Sequence, residues 1–246
     1  MMAGRGTPSR TRLSRNAVLG AAVALADEQG VGGLSMRTLA EDLGVVPMAL
    51  YKHVSSKEDL LDGMVDVIVA EIAPPLEGQG WKATVRSRVL SARTVLRRHR
   101  WARQVLETRT TMTPVVLAYT DSFIGMFLDR GFSVDLTHHV MHALGSRMWG
   151  FTQELFDAPD TRSGAPAAGD AAADTASDGS TQPDAVQLAE LARRFPNVLR
   201  IAMASAHDDG VVGRGCDDQY EFEFALDLLL DGIEGLHARG WTSART

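Results

Sequence analysis

The sequence of 246 residues contains one cysteine and no apolar segment long enough to cross a membrane. The single cysteine, Cys216, excludes an internal disulfide and is typical of a cytoplasmic protein. Asp217 and Asp218 follow it and disfavour its thiolate, so a redox-sensing role is the weaker interpretation. The first fifteen residues also lack the apolar stretch of a signal peptide. We therefore expect a cytoplasmic protein that has no membrane partner.

The motifs that identify common enzyme classes are missing as well. The sequence has no Gly-x-Ser-x-Gly motif, no phosphate-binding loop and no dinucleotide-binding fingerprint. His138 and His142 are spaced to share one helix face, which would suit a metal, but no carboxylate stands between them in the manner of His-Glu-x-x-His. Together with His139 they are better interpreted as surface or interface histidines. We predict no cofactor, no metal site and no enzymatic activity, and an all-α enzyme that uses these histidines is the alternative.

What the sequence does contain is a pattern over residues 35–61 that predicts two short helices, a tight turn and a longer helix. Ser35 is a suitable N-cap for the first helix, because its hydroxyl can accept from the free N–H groups of the first turn. Apolar residues then recur at helical spacing as far as Leu43. Gly44 follows, where a left-handed residue ends a helix at no steric cost.

The second short helix is predicted over Pro47 to His53. Pro47 suits its first position, since the missing N–H would be unpaired there in any case. Leu50 faces the core, and Ser55 and Glu58 have the spacing of a capping box that opens the third helix. About two turns of helix are unstable alone, so this helix makes sense as the recognition helix of a helix-turn-helix, held for insertion into the major groove. The residues left facing outward are Met48, Ala49, Tyr51, Lys52 and His53.

The segment from about Ser14 to Ile72 carries three sequence matches to a known family. They are Leu-Ser-Met-Arg-Thr-Leu-Ala-Glu-Asp-Leu-Gly-Val, then Leu-Tyr-Lys-His-Val, then Ser-Lys-Glu-Asp-Leu-Leu, after a first helix that ends near Gly30. This pattern resembles the tetracycline-repressor (TetR-like) family of bacterial transcription regulators. The family often has a capping residue such as serine where this chain has Val46, which weakens the cap but leaves Pro47 to start the helix.

The resemblance implies an all-α fold with an N-terminal three-helix helix-turn-helix domain and a larger C-terminal helical domain for ligand binding and dimerisation. We expect a basic flexible arm over residues 1–13, the DNA-binding domain over 14–73 and the effector-binding and dimerisation domain over 74–246. Residues 157–184 are rich in Ala, Gly, Asp, Ser, Thr and Pro and predict a flexible insert.

The resemblance also implies which residues touch operator DNA. By side-chain chemistry, Lys52 can reach a base edge or a phosphate, and Tyr51 and His53 can hydrogen-bond phosphate oxygens. Packing by Tyr51 and helix capping by His53 are the alternatives. Met48 and Ala49 can make apolar contact with a thymine methyl group. Arg37 and Lys57 are placed to contact phosphates. The full set is Arg37, Pro47, Met48, Ala49, Tyr51, Lys52, His53 and Lys57.

Charge is distributed unevenly along the chain. The net charge of −6 argues against a generally basic nucleic-acid binder but does not exclude a local footprint. Four cations and no acid occur in the first fifteen residues, at Arg5, Arg10, Arg12 and Arg15; this arm either touches DNA or is a disordered terminus. A second acid-free basic run covers residues 82–103. It is typical of a solvated face, and a second DNA contact or pairing with the acidic insert are the alternatives.

Bulky apolar residues of the C-terminal part predict a pocket between helices. The candidates for its lining are Trp101, Met112, Tyr119, Phe123, Met126, Met141, His142 and Trp149, although such residues at helical spacing also form ordinary core. In the resembled family this domain binds a small effector that releases DNA. We therefore predict a repressor released by a small molecule of unknown identity, with a ligand-independent or activating regulator as the alternative.

The last helix has apolar residues spaced four and three apart, which suits either a partner helix or an intrachain core face. The resemblance implies that this helix and the helix before the insert form a four-helix homodimer interface. The predicted interface residues are Leu136, Val140, Met148, Phe151, Phe222, Leu226, Leu229, Ile233 and Leu236. A dimer would place two recognition helices about one DNA turn apart, roughly 34–36 Å, on a near-palindromic operator.

Overall fold

The computed structural model describes residues 13–109, 111–149, 185–204 and 218–243, and in these ranges every regular element is helical. The all-α class predicted from the sequence is confirmed. Most of the predicted basic arm, the predicted flexible insert, Phe151 and Cys216 lie outside the described residues. In the described ranges, no helix combines the length and apolarity that a membrane crossing requires.

The helices follow one another in chain order. A 3-10 turn, Val31–Gly33, lies between the first two. The helices are α1 Arg15–Gln29, α2 Met36–Asp42, α3 Pro47–Leu50, α4 Lys57–Ala70, α5 Trp81–Arg98, α6 Ala102–Glu107, α7 Pro114–Leu128, α8 Val134–Trp149, α9 Ala185–Arg194, α10 Pro196–Ala204 and α11 Asp218–Ala238.

The chain divides into two compact units. One comprises residues 1–150 and 226–246, and the other comprises residues 151–225. In the second unit, the described helices α9 and α10 follow one another at Pro196 and pack together. All the features described below that carry a binding site belong to the first unit.

Helices α1, α2 and α4 enclose a small apolar core at the N-terminal end of the first unit. Val18 of α1, Leu39 of α2 and Leu60 of α4 are fully buried in it. Leu50, from the four-residue helix α3, is also fully buried. Because α3 is too short to be stable alone, this one anchor and its two neighbouring helices determine where its outer face points.

The turn between α2 and α3 is built as the sequence predicts. Ser35 caps α2 by accepting from the Thr38 backbone N–H at 3.1 Å, and the Thr38 hydroxyl accepts from the Ser35 N–H at 2.9 Å. Gly44 has a φ of +63°, which favours glycine. Pro47 is the first residue of α3, and Val46 at its N-cap makes no side-chain capping bond.

The start of α4 differs from the prediction by one residue. The N-cap is Ser56, whose hydroxyl accepts from the Asp59 N–H at 3.0 Å. Ser55 instead donates its backbone N–H and its hydroxyl to the Asp59 carboxylate, at 2.7 and 3.0 Å. The predicted pairing of Ser55 with Glu58 was therefore wrong, because the carboxylate of Asp59 takes the role assigned to Glu58.

Two cations of the basic run on α5 are paired with acids of the last helix. Arg86 donates to Asp227 at 2.7 Å, and Lys82 is paired with both Asp231 and Glu234 of α11. These pairs hold α5 against α11 within the first unit. Pairing along α11 was not among the interpretations that the sequence suggested for this run.

Candidate nucleic-acid interface and internal cavity

Helix α3 and its surroundings present the residues that were predicted to contact DNA. Six of the eight are exposed, namely Arg37, Pro47, Met48, Tyr51, Lys52 and Lys57, whereas Ala49 and His53 are half-buried. Met48 is 71% exposed and Val46, which precedes the helix, is 68% exposed. Large apolar side chains on such an open surface suit contact with thymine methyl groups. Val46 was missed as a contact candidate because the sequence presents it only as a poor cap.

Arg37 forms an ion pair with Glu41 on this surface. Its Nε donates to Glu41 at 2.9 Å, one turn along α2, and this hydrogen bond raises the pKa of the Arg37 guanidinium. Both side chains are largely exposed, and exposed pairs of this kind are weak. A phosphate can therefore displace Glu41 from Arg37.

Arg15 fixes the far end of α3. Its guanidinium donates to the His53 carbonyl at 2.8 Å and pairs with the Asp59 carboxylate at 2.6 Å. The hydrogen bond from Arg15, followed by that from the Ser55 backbone, lowers the pKa of Asp59 to about 2. Arg15 lies beyond the predicted arm of residues 1–13: it is the first residue of α1, and it ties α1, α4 and the turn after α3 together.

An apolar cavity of about 290 Å³ lies between helices α4, α5, α6, α7 and α8. Four of the predicted lining residues do line it: Met112, Tyr119, Phe123 and Met141. The sequence missed the wall contributed by α4, which consists of Ile68, Val69 and Ile72. These residues continue the helical spacing of the apolar residues that form the N-terminal core. The sequence therefore does not show where the core ends and the cavity wall begins.

Three of the other predicted lining residues do not line this cavity. Trp101 is buried in the N-terminal core, where its indole N–H donates to Asp27 at 2.7 Å. Met126 lines a separate, more polar cleft beside Trp81. His142 is exposed on another face of α8, with its ring 4.6 Å from that of His138. The side chain of Trp149 lies outside the described residues.

Most of the predicted dimer-interface residues are buried within the single chain. Those with less than a tenth of their surface exposed are Leu136, Val140, Phe222, Leu226 and Ile233. Met148, Leu229 and Leu236 are half-buried. These side chains are therefore already buried in the single chain, and their contact with a partner helix stays a prediction. The exposed apolar residues of α11 are instead Tyr220, Phe224 and Leu228, one turn apart.

Two family models match the sequence over most of its length. Residues 18–64 match the model of bacterial regulatory proteins of the tetR family. Residues 74–236 match the tetracyclin repressor-like C-terminal domain. The first match contains the helix-turn-helix, and the second contains every helix that borders the cavity after α4.

The sequence is also similar to two transcriptional regulators over half of its length or less. An HTH-type transcriptional regulator of Saccharopolyspora erythraea is 36% identical over 127 residues, which are 50% of this chain and 54% of that protein. The HTH-type transcriptional repressor DrrR1 of Streptomyces coeruleorubidus is 38% identical over 104 residues, which are 42% of this chain and 38% of that protein. The chain thus matches about half the length, or less, of these two relatives.

The fold is similar to that of solved structures over nearly the whole chain. Apo ActR from Streptomyces coelicolor superposes with a TM-score of 0.64 and covers 94% of this chain and 99% of its own, at 19% identity. ActR has also been solved in complex with actinorhodin. At this identity the likeness extends to the fold alone, whereas the two family models together span both halves of the molecule. The chain therefore belongs to the TetR family of bacterial regulatory proteins.

Proposed function

We propose that this protein is a dimeric transcriptional repressor that binds a near-palindromic operator and leaves it when a small molecule fills the internal cavity. DNA binding is assigned to residues 14–73, and effector binding and dimerisation to residues 74–246, in the cytoplasm. The observation that carries the proposal is that one helix, α4, both supports the exposed recognition helix and forms a wall of the cavity. The similarity to a named repressor supports the direction of regulation.

At the DNA, α3 enters the major groove with its exposed face towards the bases. Lys52 and Tyr51 supply hydrogen bonds, and Met48 supplies apolar contact. Arg37 and Lys57 lie at the starts of α2 and α4, where cations and free helix amides bind phosphates. Specificity then rests on few hydrogen bonds to bases, and affinity rests on phosphate contacts that weaken as salt rises.

Helix α4 couples the two sites because it is packed at both ends. Its first turn holds Asp59, which fixes Arg15 and through it the His53 carbonyl in the turn that follows α3. Its last turns place Ile68 and Val69 against the cavity. A ligand that prefers a displaced α4 shifts the position of α3, and by linkage it binds less tightly to the DNA-bound form.

A second connection joins the same parts of the molecule. The buried ring of His99, just after α5, has Nδ1 at 2.9 Å from Asp27 of α1 and Nε2 at 3.4 Å from Glu71 at the end of α4. Arg98 also donates to Glu71 at 2.7 Å. Movement of α5 around a ligand therefore acts on the C-terminal ends of both α1 and α4 rather than on α4 alone.

The dimer uses the apolar faces that the single chain leaves exposed. Leu228 on α11 is 57% exposed, and Val134 on α8 is 75% exposed. His138 and His142 continue the exposed face of α8 at four-residue spacing. This assignment keeps the two helices that the family resemblance implies. It differs in the face of each helix that meets the partner, which is now the exposed face.

Lys52→Ala tests the DNA-binding half of the proposal. It should weaken binding to the operator at least tenfold without changing the melting temperature, because the side chain of Lys52 is exposed. Lys82→Ala is the matched control, since its ammonium is already paired with acids of α11. Fluorescence anisotropy with labelled operator would measure both variants. Equal affinity of Lys52→Ala and the wild type would remove α3 from the proposed interface.

A further inference from the structure

The buried cation on α5 lacks the acidic partner that its neighbours have. Arg88 is only 6% exposed, and one of its guanidinium nitrogens donates to the Ala73 carbonyl at 3.1 Å. Its Nε is buried with no hydrogen-bond partner. Within the described ranges, no carboxylate pairs with Arg88, whereas Lys82, Arg86 and Arg98 of the same helix are all paired with acids.

An unpaired guanidinium in the interior is unfavourable, because burial removes the hydration that would stabilise its charge. Two features offset part of this cost. One is the Ala73 carbonyl, and the other is the aromatic ring of Tyr119, whose centroid lies 4.7 Å from the guanidinium carbon. Neither supplies a formal negative charge. An anion that reached this position would therefore gain more here than at any ordinary surface arginine.

Arg88 does not itself line the cavity, but it contacts the wall through Tyr119. Its neighbour Val89 and the following turn at Ala92 belong to the wall, and Tyr119, on which the guanidinium stacks, belongs to it as well. The only other hydroxyl of the wall, that of Thr120, donates to the Val116 carbonyl at 2.8 Å and is engaged in its own helix. The described wall of the cavity is thus apolar apart from the hydroxyls of Tyr119 and Thr120, and the guanidinium of Arg88 stacks on the ring of Tyr119.

We infer that the effector is a mainly apolar molecule with a single acidic group, such as a carboxylate or an ionised phenol, which binds beside Tyr119 and neutralises Arg88. This inference rests on the proposed function of the cavity and adds its ligand class. A neutral hydrocarbon would fill the apolar volume but leave the guanidinium unpaired. A molecule with several charges would meet apolar side chains everywhere else in the cavity.

The experiment uses two dyes that share the same ring system. N-phenyl-1-naphthylamine is neutral, and 8-anilino-1-naphthalenesulfonate carries one sulfonate that stays ionised at neutral pH. Both are titrated by fluorescence into the full-length protein, the Arg88→Met variant and the Arg100→Met variant. Arg100 is exposed and follows α5, so its replacement removes one positive charge without altering the cavity.

The wild type and Arg100→Met should bind the sulfonate at least tenfold more tightly than the neutral dye. Arg88→Met should lose that preference while binding the neutral dye as well as before. Its melting temperature should be equal or higher, because an apolar chain of similar length replaces an unpaired buried charge.

If Arg88→Met still prefers the sulfonate, or if the wild type binds both dyes equally, the inferred ligand class is wrong. The proposed role of the cavity in effector binding would not be affected by either result. Failure of the wild type to bind either dye would overturn both the inference and the proposed role of the cavity.

Discussion

At the scale of single residues, the position of the recognition helix depends on one ion pair that the sequence did not reveal. Arg15 and Asp59 are 44 positions apart, and only the packing of α1 against α4 brings them to 2.6 Å. The same carboxylate accepts from Ser55, so it joins the end of α3 to the start of α4. No periodicity along the chain could have indicated this pair, because it depends on the tertiary arrangement.

The low pKa of Asp59 predicts a specific acid sensitivity. Its folded value of about 2 lies below the ordinary 3.8, so its contribution is complete above about pH 4 and is lost as the pH falls towards 2. After allowance for partial exposure, this contribution is about 1 kcal/mol. Urea unfolding of the wild type and Asp59→Asn should differ by that amount at pH 6 and converge near pH 2. A difference independent of pH would show that the Asp59 charge is not responsible.

At the scale of elements, the helix-turn-helix was predictable because its signals are local. Gly44 and Pro47 act through their own backbone preferences, which any sequence comparison can recognise. Which residues of α11 are buried was not predictable, since Leu226 and Leu228 are both leucines on an amphipathic helix. Only the tertiary packing decides that Leu226 is fully buried and that Leu228 is exposed. The lining of the cavity depends on packing in the same way, as the placement of Trp101 in a different core demonstrates.

A pair of glycine substitutions tests the geometry of the turn. Gly44→Ala should destabilise the protein by about 1 kcal/mol, because a side chain is strained at its φ of +63°. It should also weaken operator binding through displacement of α3. Gly20→Ala is the control: Gly20 is exposed within α1 with open space around a Cβ, so alanine should stabilise the helix by roughly 0.5–1 kcal/mol. Thermal melts that change in the same direction for both variants would contradict this account.

At the scale of the whole molecule, the proposed DNA contacts of this acidic protein form a small local surface. The net charge is −6, and the pairs between α5 and α11 neutralise cations that would otherwise form a second basic face. The proposed DNA contacts are therefore concentrated at α2, α3 and the start of α4. Two such surfaces would bind an operator more tightly than one, which is why a dimer is proposed.

Substitution of Leu228 tests which face of α11 forms the dimer. Leu228→Glu should give a folded monomer, because it places a charge in the proposed interface but leaves the buried Leu226 intact. Leu117→Glu is the control, since Leu117 is similarly exposed, at 52%, on α7. Sedimentation velocity would report the mass of each variant. A Leu228→Glu protein that remains dimeric would exclude this face.

The central claim is that a dimer reads DNA through α3, and selection of genomic fragments tests it most directly. The wild type and Lys52→Ala would be mixed with sheared DNA of the source genome at near-physiological salt, and the retained fragments sequenced. We predict that the wild type enriches a shared near-palindrome with half-sites about one helical turn apart, and that Lys52→Ala does not. No enrichment by a folded, dimeric wild type, or the same enrichment by both proteins, would contradict the account.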